Sequence, residues 1–144
     1  MIEIRGDMWD YLGQCPIVVT TGGLVLKNGC CVMPRGCARQ AKERFPDLAQ
    51  DLGQRICGQG NHVQLFVYEQ GELIAFPVEA SPFDVPEFSL IRRSALELRE
   101  LTDRHGWHQV VLPRPGCGGG GLLWNEVRPC LEPCLDDRFL VITH

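Results

Sequence analysis

The chain has 144 residues, 44% hydrophobic and 22% charged, and carries a formal net charge of −4. That is the length of one domain, 1–144, in which roughly 70% of the unfolded surface can be buried without disulfide staples. The negative balance argues against a broad basic face for gripping nucleic acid, and no apolar run reaches the about 18 residues of a membrane span.

The opening Met1-Ile2-Glu3-Ile4-Arg5 lacks the apolar core of a signal peptide, so a cytoplasmic monomer with no membrane contact is expected. Met1 to Arg5 itself reads as a short strand at a sheet edge. Further strands are expected at Ile17–Thr21, Val63–Tyr68, Leu73–Val78, Gln109–Leu112 and Phe139–Thr143, each a short apolar or β-branched run bounded by Gly, Pro or charge. Most of these runs are continuous rather than alternating, as in a sheet covered on both faces. Glu69-Gln70-Gly71-Glu72 joins two of them as a hairpin loop, which makes that pair antiparallel.

Helices fill the intervals. Cys37, Ala38, Ala41 and Phe45 form one apolar face after Gly36, stopped by Pro46. Leu48, Ala49, Leu52 and Ile56 form the next, with Asp47 as N-cap and Gly58 just past the end. Phe88, Ile91, Ala95 and Leu98 mark a third helix, with Asp84 and Glu87 as a capping box and Gly106 as its close. A last helix spans about Leu122–Leu135, and Pro129 inside it is expected to kink it. Strands alternating with helices predict an α/β fold, a three-layer α/β/α sandwich with a mixed central sheet.

Two residue counts are unusual, 16 Gly and 8 Cys. The cysteines stand at 15, 30, 31, 37, 57, 117, 130 and 134, without a Cys-x-x-Cys pair. They read as reduced thiols filling small core positions, with no metal or cofactor implied. The four histidines are scattered, which leaves no Ser-His-Asp or Cys-His arrangement.

The glycines are concentrated where strand passes into helix. Val110–Leu112 runs through Pro113-Arg114-Pro115-Gly116-Cys117-Gly118-Gly119-Gly120-Gly121 into Leu122-Leu123-Trp124. Unhindered backbone N–H groups ahead of a helix N-terminus make a phosphate site. Gly116, Gly118 and Gly121 even satisfy G-x-G-x-x-G, but only one strand remains after them, too little for the βαβ unit and acidic residue of a dinucleotide fold. A second junction runs from Ile17–Thr21 through Gly22-Gly23 and Lys27-Asn28-Gly29 to Val32-Met33-Pro34-Arg35-Gly36-Cys37-Ala38. Two such loops, each opening a helix, suit the two phosphates of a pyrophosphate.

Three motifs in order, Arg5-Gly6-Asp7-Met8-Trp9, Met33 to Ala38, and Leu112 to Gly118 with Trp124 and Val127, resemble the macro domain over nearly the whole chain. The resemblance is to the branch containing the terminal ADP-ribose glycohydrolase and the DNA ADP-ribosyl glycohydrolase antitoxins. It implies an α/β/α sandwich that binds ADP-ribose or an ADP-ribosylated macromolecule. In that family Asp7 matches the carboxylate that accepts the adenine N6 amino group, with Met8 beside it. Met33, Arg35, Gly36, Cys37 and Ala38 match the first phosphate loop. Pro115, Gly116, Cys117, Gly118, Gly119, Gly120, Gly121 and Leu122 match the second. The resemblance also implies that Thr21 ends the strand below the distal ribose and that Gly22 stands at a position that touches it in relatives.

The departures concern catalysis. Relatives often place a Lys after Phe-Pro-x, where this chain has Phe76-Pro77-Val78-Glu79. The catalytic Asp of the glycohydrolase corresponds to Gly120, and the Asn that often touches the distal ribose to Gly22. Lys27, in the adjacent loop, and Glu79 are the remaining candidates, Lys27 to neutralise charge and Glu79 to activate water. Binding of ADP-ribose is the expected function, with hydrolysis of an ADP-ribosyl bond possible. The alternatives are an ADP-ribose 1″-phosphate phosphatase and an interaction module without a ligand.

Overall fold

The computed structural model describes residues 1–144. Its strands are β1 (Ile2–Arg5), β2 (Ile17–Thr21), β3 (Gln64–Tyr68), β4 (Gly71–Pro77), β5 (Val110–Leu112) and β6 (Phe139–Thr143). Its helices are α1 (Gly36–Arg44), α2 (Leu48–Gln59), α3 (Phe88–His105) and α4 (Trp124–Leu131), and a 3-10 turn covers Met8–Tyr11. The six strands lie in the order β1-β6-β5-β2-β4-β3. Every neighbouring pair is parallel except β3 with β4, which form the antiparallel hairpin.

The continuous apolar strands are explained by cover on both faces. On one face Ile17, Val19, Leu73, Ala75 and Val111 pack against Ala38, Ala41 and Phe45 of α1 and Leu48, Ala49 and Leu52 of α2. On the other, Val18, Ile74, Phe76, Val110, Leu112, Phe139 and Val141 meet Ile91, Ala95 and Leu98 of α3 and Val127, Cys130 and Leu131 of α4. The arrangement is a three-layer α/β/α sandwich with a mixed sheet.

Several local expectations need correction. Asp47 adopts α-helical backbone angles and its side chain caps nothing; Phe45 and the following Pro46 already turn the chain into α2. That helix closes at Gly60, whose φ of 88° suits glycine, rather than at Gly58. Asp84 and Glu87 form no capping box, because α3 starts with Glu87 as N-cap and no side chain bonds its free N–H groups. The Asp84 N–H instead closes a turn on Ser81. The hairpin loop is only Glu69-Gln70, since Gly71 already belongs to β4.

The last helix is shorter than expected, Trp124–Leu131, and Pro129 does not break it. Proline removes one N–H and crowds the preceding turn. Pro129 stands on the exposed side, while Val127, Cys130 and Leu131 hold the buried face in place.

The strand directions locate the site. β1, β6, β5, β2 and β4 all end at the same edge, where open α/β sheets hold ligands. β2 and β5 are registered only through Ile17 and Val111. Beyond that pair β2 continues to Thr21, whereas β5 stops at Leu112 and Pro113 leads the chain away. The divergence opens a cleft between the last residues of β2 and the glycine loop.

Candidate functional site

A cavity of about 600 Å³ occupies this cleft at the carboxyl edge. Its walls come from the residues just past each strand: Gly6 after β1, Thr143 and His144 at the end of β6, and Gly116 to Gly120 after β5. Thr20 to Gly22 at the end of β2 and Val78 with Glu79 after β4 complete it. The N-terminus of α1 opens into it through Arg35 to Ala38, and the approach to α4 through Leu122 to Trp124. Neither helix has a side-chain cap: the N-cap residues, Arg35 and Leu123, make no capping hydrogen bond. The first N–H groups of both helices therefore remain available to an anion, and both positive helix ends face one cleft.

Most of the residues singled out in the sequence line this cavity: Met8, Thr21, Gly22, Arg35, Gly36, Cys37, Ala38, Glu79, Gly116, Cys117, Gly118, Gly119, Gly120 and Leu122. Five do not. Met33 is 2% exposed and packs inward among the core residues beside α1. Pro115 is buried and Gly121 lies outside the wall. Asp7 is exposed at the rim between the lining residues Gly6 and Met8, and its Oδ1 accepts the Trp9 N–H at 3.0 Å. Lys27 is exposed in the turn closed by the Gly29 N–H on the Leu26 carbonyl, away from the wall.

Arg35 crosses between the loops. Its guanidinium donates to the Pro82 carbonyl at 3.3 Å, and a Cβ on Gly119 would stand 2.7 Å from its Nε. It forms no ion pair and lines the cleft as an exposed side chain. Arg114 behaves differently: it pairs with Glu3 at 3.2 Å and lies over the Trp124 ring at 5.0 Å. Trp124 donates its ring N–H to the same Glu3 at 2.8 Å, which fixes the indole as part of the wall.

Glu79 is the carboxylate of the cavity. Burial pushes its carboxyl above the ordinary carboxylate range; Arg35 opposes this and Asp84 adds to it. Cys117 lies within the glycine loop, where a helix N-terminus could have activated its thiol. Burial instead pushes that thiol up, against a smaller opposing pull from Arg114. Cys31 is pushed up to about 11, first by burial and then by Cys30. These are packing thiols, and all eight cysteines are free. No cluster of three His, Cys, Asp or Glu side chains gathers as a metal would need.

The sequence reading missed the wall between β4 and α3, where Pro82 and Pro86 line the cleft, and the end of β6 at Thr143 and His144. The strand order alone would have found the second, since β6 runs parallel beside β5 and must end at the same edge. Nothing in the residue types marks the first.

No protein-family model and no curated protein matches the sequence. Solved structures do. DarTG of Thermosipho africanus in complex with ADP-ribose superposes with a TM-score of 0.81 at 20% identity, covering 98% of this chain and 41% of that one. The macrodomain of Mycobacterium tuberculosis DarG gives a TM-score of 0.81 at 22% identity, over 98% of this chain and 95% of that chain. The macrodomain of Thermus aquaticus DarG gives 0.76 at 23%, over 99% and 97%.

The chain has the macrodomain fold. This chain spans less than half of the Thermosipho africanus protein, and it matches the two isolated macrodomains over nearly their full length. Within the macrodomain fold it keeps two helix-opening loops around one cleft while carrying Gly22, Glu79 and Gly120 on its walls. No helix is long and apolar enough to cross a membrane.

Proposed function

We propose that the protein binds ADP-ribose, or a macromolecule bearing it, in the cleft at the carboxyl edge of the sheet. The observation that carries this reading is the convergence of two uncapped helix N-termini, α1 and α4, on one cavity of about 600 Å³. The N–H groups at the two helix starts, free of side-chain caps, suit the two phosphates of a pyrophosphate, and Arg35, which forms no ion pair, adds a cation. Asp7 at the rim leaves one carboxylate oxygen for an amino donor while the other holds the turn, which suits an adenine edge. The Thermosipho africanus neighbour, with ADP-ribose bound, supports the ligand choice.

Hydrolysis of an ADP-ribosyl bond is a second reading, favoured by Glu79. A buried carboxylate with a raised pKa is suited to taking a proton from water attacking the ribose carbon. Lys27, the other candidate, stands outside the wall of the cavity. Release of free ADP-ribose from a modified protein or nucleic acid distinguishes catalysis from binding alone.

The test of the binding reading is calorimetry with ADP-ribose, for which a Kd near micromolar is expected, about −8 kcal/mol. Asp7→Ala should weaken ADP-ribose by about 1.5–3 kcal/mol, the range of a charge-assisted hydrogen bond, while ribose 5-phosphate changes little. Equal losses for both ligands would mean that Asp7 acts only through the Trp9 turn. No heat and no stabilisation at millimolar ADP-ribose would remove the reading.

A further inference from the structure

Residues 78–87, between β4 and α3, form a strap with tied ends and a nearly free middle. At its base the Glu87 N–H donates to the Val78 carbonyl at 2.9 Å, and the Gly23 N–H donates to the Ala80 carbonyl at 3.0 Å. A loop whose ends meet in this way is a compact unit that can move as one body. From Ser81 to Pro86 a single hydrogen bond leaves the strap, from the Arg35 guanidinium to the Pro82 carbonyl at 3.3 Å. The Phe83 and Asp84 N–H groups bond only within it, to Ser81.

The strap has two sides. Pro82 and Pro86 are buried and line the cavity, whereas Phe83 and Val85 stand 87% and 70% exposed. Pro86 rests on the glycine loop: a Cβ on Gly120 would lie 2.5 Å from its Cγ, and one on Gly116 would lie 3.2 Å from its Cβ. Pro82 is held by Arg35, from the loop that opens α1. The strap thus sets one foot on each of the two helix-opening loops, and each foot is a proline of fixed φ. Between the feet, a phenyl ring and a valine lie in water, where neither contributes to folding.

We propose that the strap of residues 78–87 is a lid over the cleft, closed by the bound pyrophosphate through Arg35. The proposal rests on the ADP-ribose reading above and adds to it the control of entry and release. A guanidinium carries five N–H donors in a planar fork. Part of the fork stays on the Pro82 carbonyl while the other donors take a phosphate oxygen, so ligand and strap share one rigid group. The phosphates also draw the glycine loop toward the loop at Arg35, and both feet of the strap follow. Closure carries Phe83 and Val85 toward the cavity, where Leu123, 60% exposed in its wall, offers them apolar cover.

Limited digestion with chymotrypsin reads the lid, because Phe83 is an exposed aromatic on it. Trp107, between α3 and β5 at the opposite edge of the sheet, is the reference site. Cut rates after both residues are followed by mass spectrometry in wild type and Arg35→Lys, empty and with ADP-ribose. Calorimetry sets the same occupancy for each protein. In wild type, ADP-ribose should slow the cut after Phe83 about tenfold more than the cut after Trp107. In Arg35→Lys that difference should fall below about threefold, since an ammonium keeps the charge and loses the fork. The unliganded melting temperature should not change, because Arg35 is exposed and forms no ion pair.

Wild type that binds ADP-ribose yet shows equal slowing at both sites, or none at Phe83, would overturn the lid. So would an empty wild type that resists cutting after Phe83, whose strap would already be closed. Full protection in Arg35→Lys, or a lower unliganded melting temperature, would make Arg35 a fixed tie and overturn its part in closing. Failure of wild type to bind ADP-ribose in the calorimeter would instead remove the ADP-ribose reading, and this proposal with it.

Discussion

Glu79 keeps a carboxylate in the partly shielded wall of the cavity, and the consequences can be worked through with their sign. Burial raises its pKa, Arg35 pulls it back and Asp84 pushes it further up. A carboxyl whose folded pKa lies above the unfolded one destabilises the fold at pH values above both. That cost fades as the pH falls through the folded value and is gone below the unfolded one. Glu79→Gln should therefore raise the melting temperature at neutral pH, with the gain shrinking toward about pH 4, near the unfolded pKa of glutamate. Thermal melts of both proteins across that range check it; a gain independent of pH would trace to packing instead. Glu79 was legible in the sequence as an acid standing at a position where the resemblance implies an amine. Arg35 was legible only as a member of its loop. Its contacts with Pro82 and Gly119 join segments far apart in the chain, and no spacing encodes them.

The glycine loop reads as one feature in the sequence and divides into several in space. Gly116 has a φ of 74°, and a Cβ there would come within 2.9 Å of Leu122 Cδ1 and close to Pro86 and Ile91. A Cβ on Gly120 would come within 2.5 Å of Pro86 Cγ and 2.7 Å of the Gly116 carbonyl oxygen. Gly118 meets nothing within 4 Å and has no positive φ. Gly116→Ala should thus cost about 1–3 kcal/mol through backbone strain and crowding, seen as a lower midpoint in denaturant. Gly118→Glu should leave that midpoint nearly unchanged but abolish ADP-ribose binding, because it adds bulk and negative charge beside the expected pyrophosphate. Normal binding by Gly118→Glu would place the phosphates elsewhere. The elements around the loop were readable for a plain reason: short apolar runs and helical periodicity are local properties. Helix starts were less so. Asp47 and Asp84 have the right residue type for a cap, but the turns before α2 and α3 are set by Phe45-Pro46 and by the Ser81–Asp84 turn. Met33 and Pro115 likewise belong to the loops by position and to the interior by packing.

At the scale of the molecule, the cleft is where the two faces of the sheet meet. The loop opening α1 belongs to the layer packed on Val19 and Ala75, and the glycine loop leads to α4 in the layer packed on Val18 and Ile74. A pyrophosphate held by both would tie the layers together at the open edge, where β2 and β5 have already separated. Ligand binding stabilises the folded state by mass action, about 2.7 kcal/mol at a hundred times Kd, and local opening at the two loops should be suppressed together. Hydrogen exchange should therefore show the amides of Gly36 to Ala38 and of Gly116 to Leu122 slowing in step on addition of ADP-ribose. The edge strand β3, on the far side of β4 from β2, should keep its exchange rates unless it opens only with global unfolding. Protection confined to one loop would mean that a single helix N-terminus holds the ligand. The cleft would then bind one phosphate, and the symmetry of two uncapped helices around it would have no bearing on affinity.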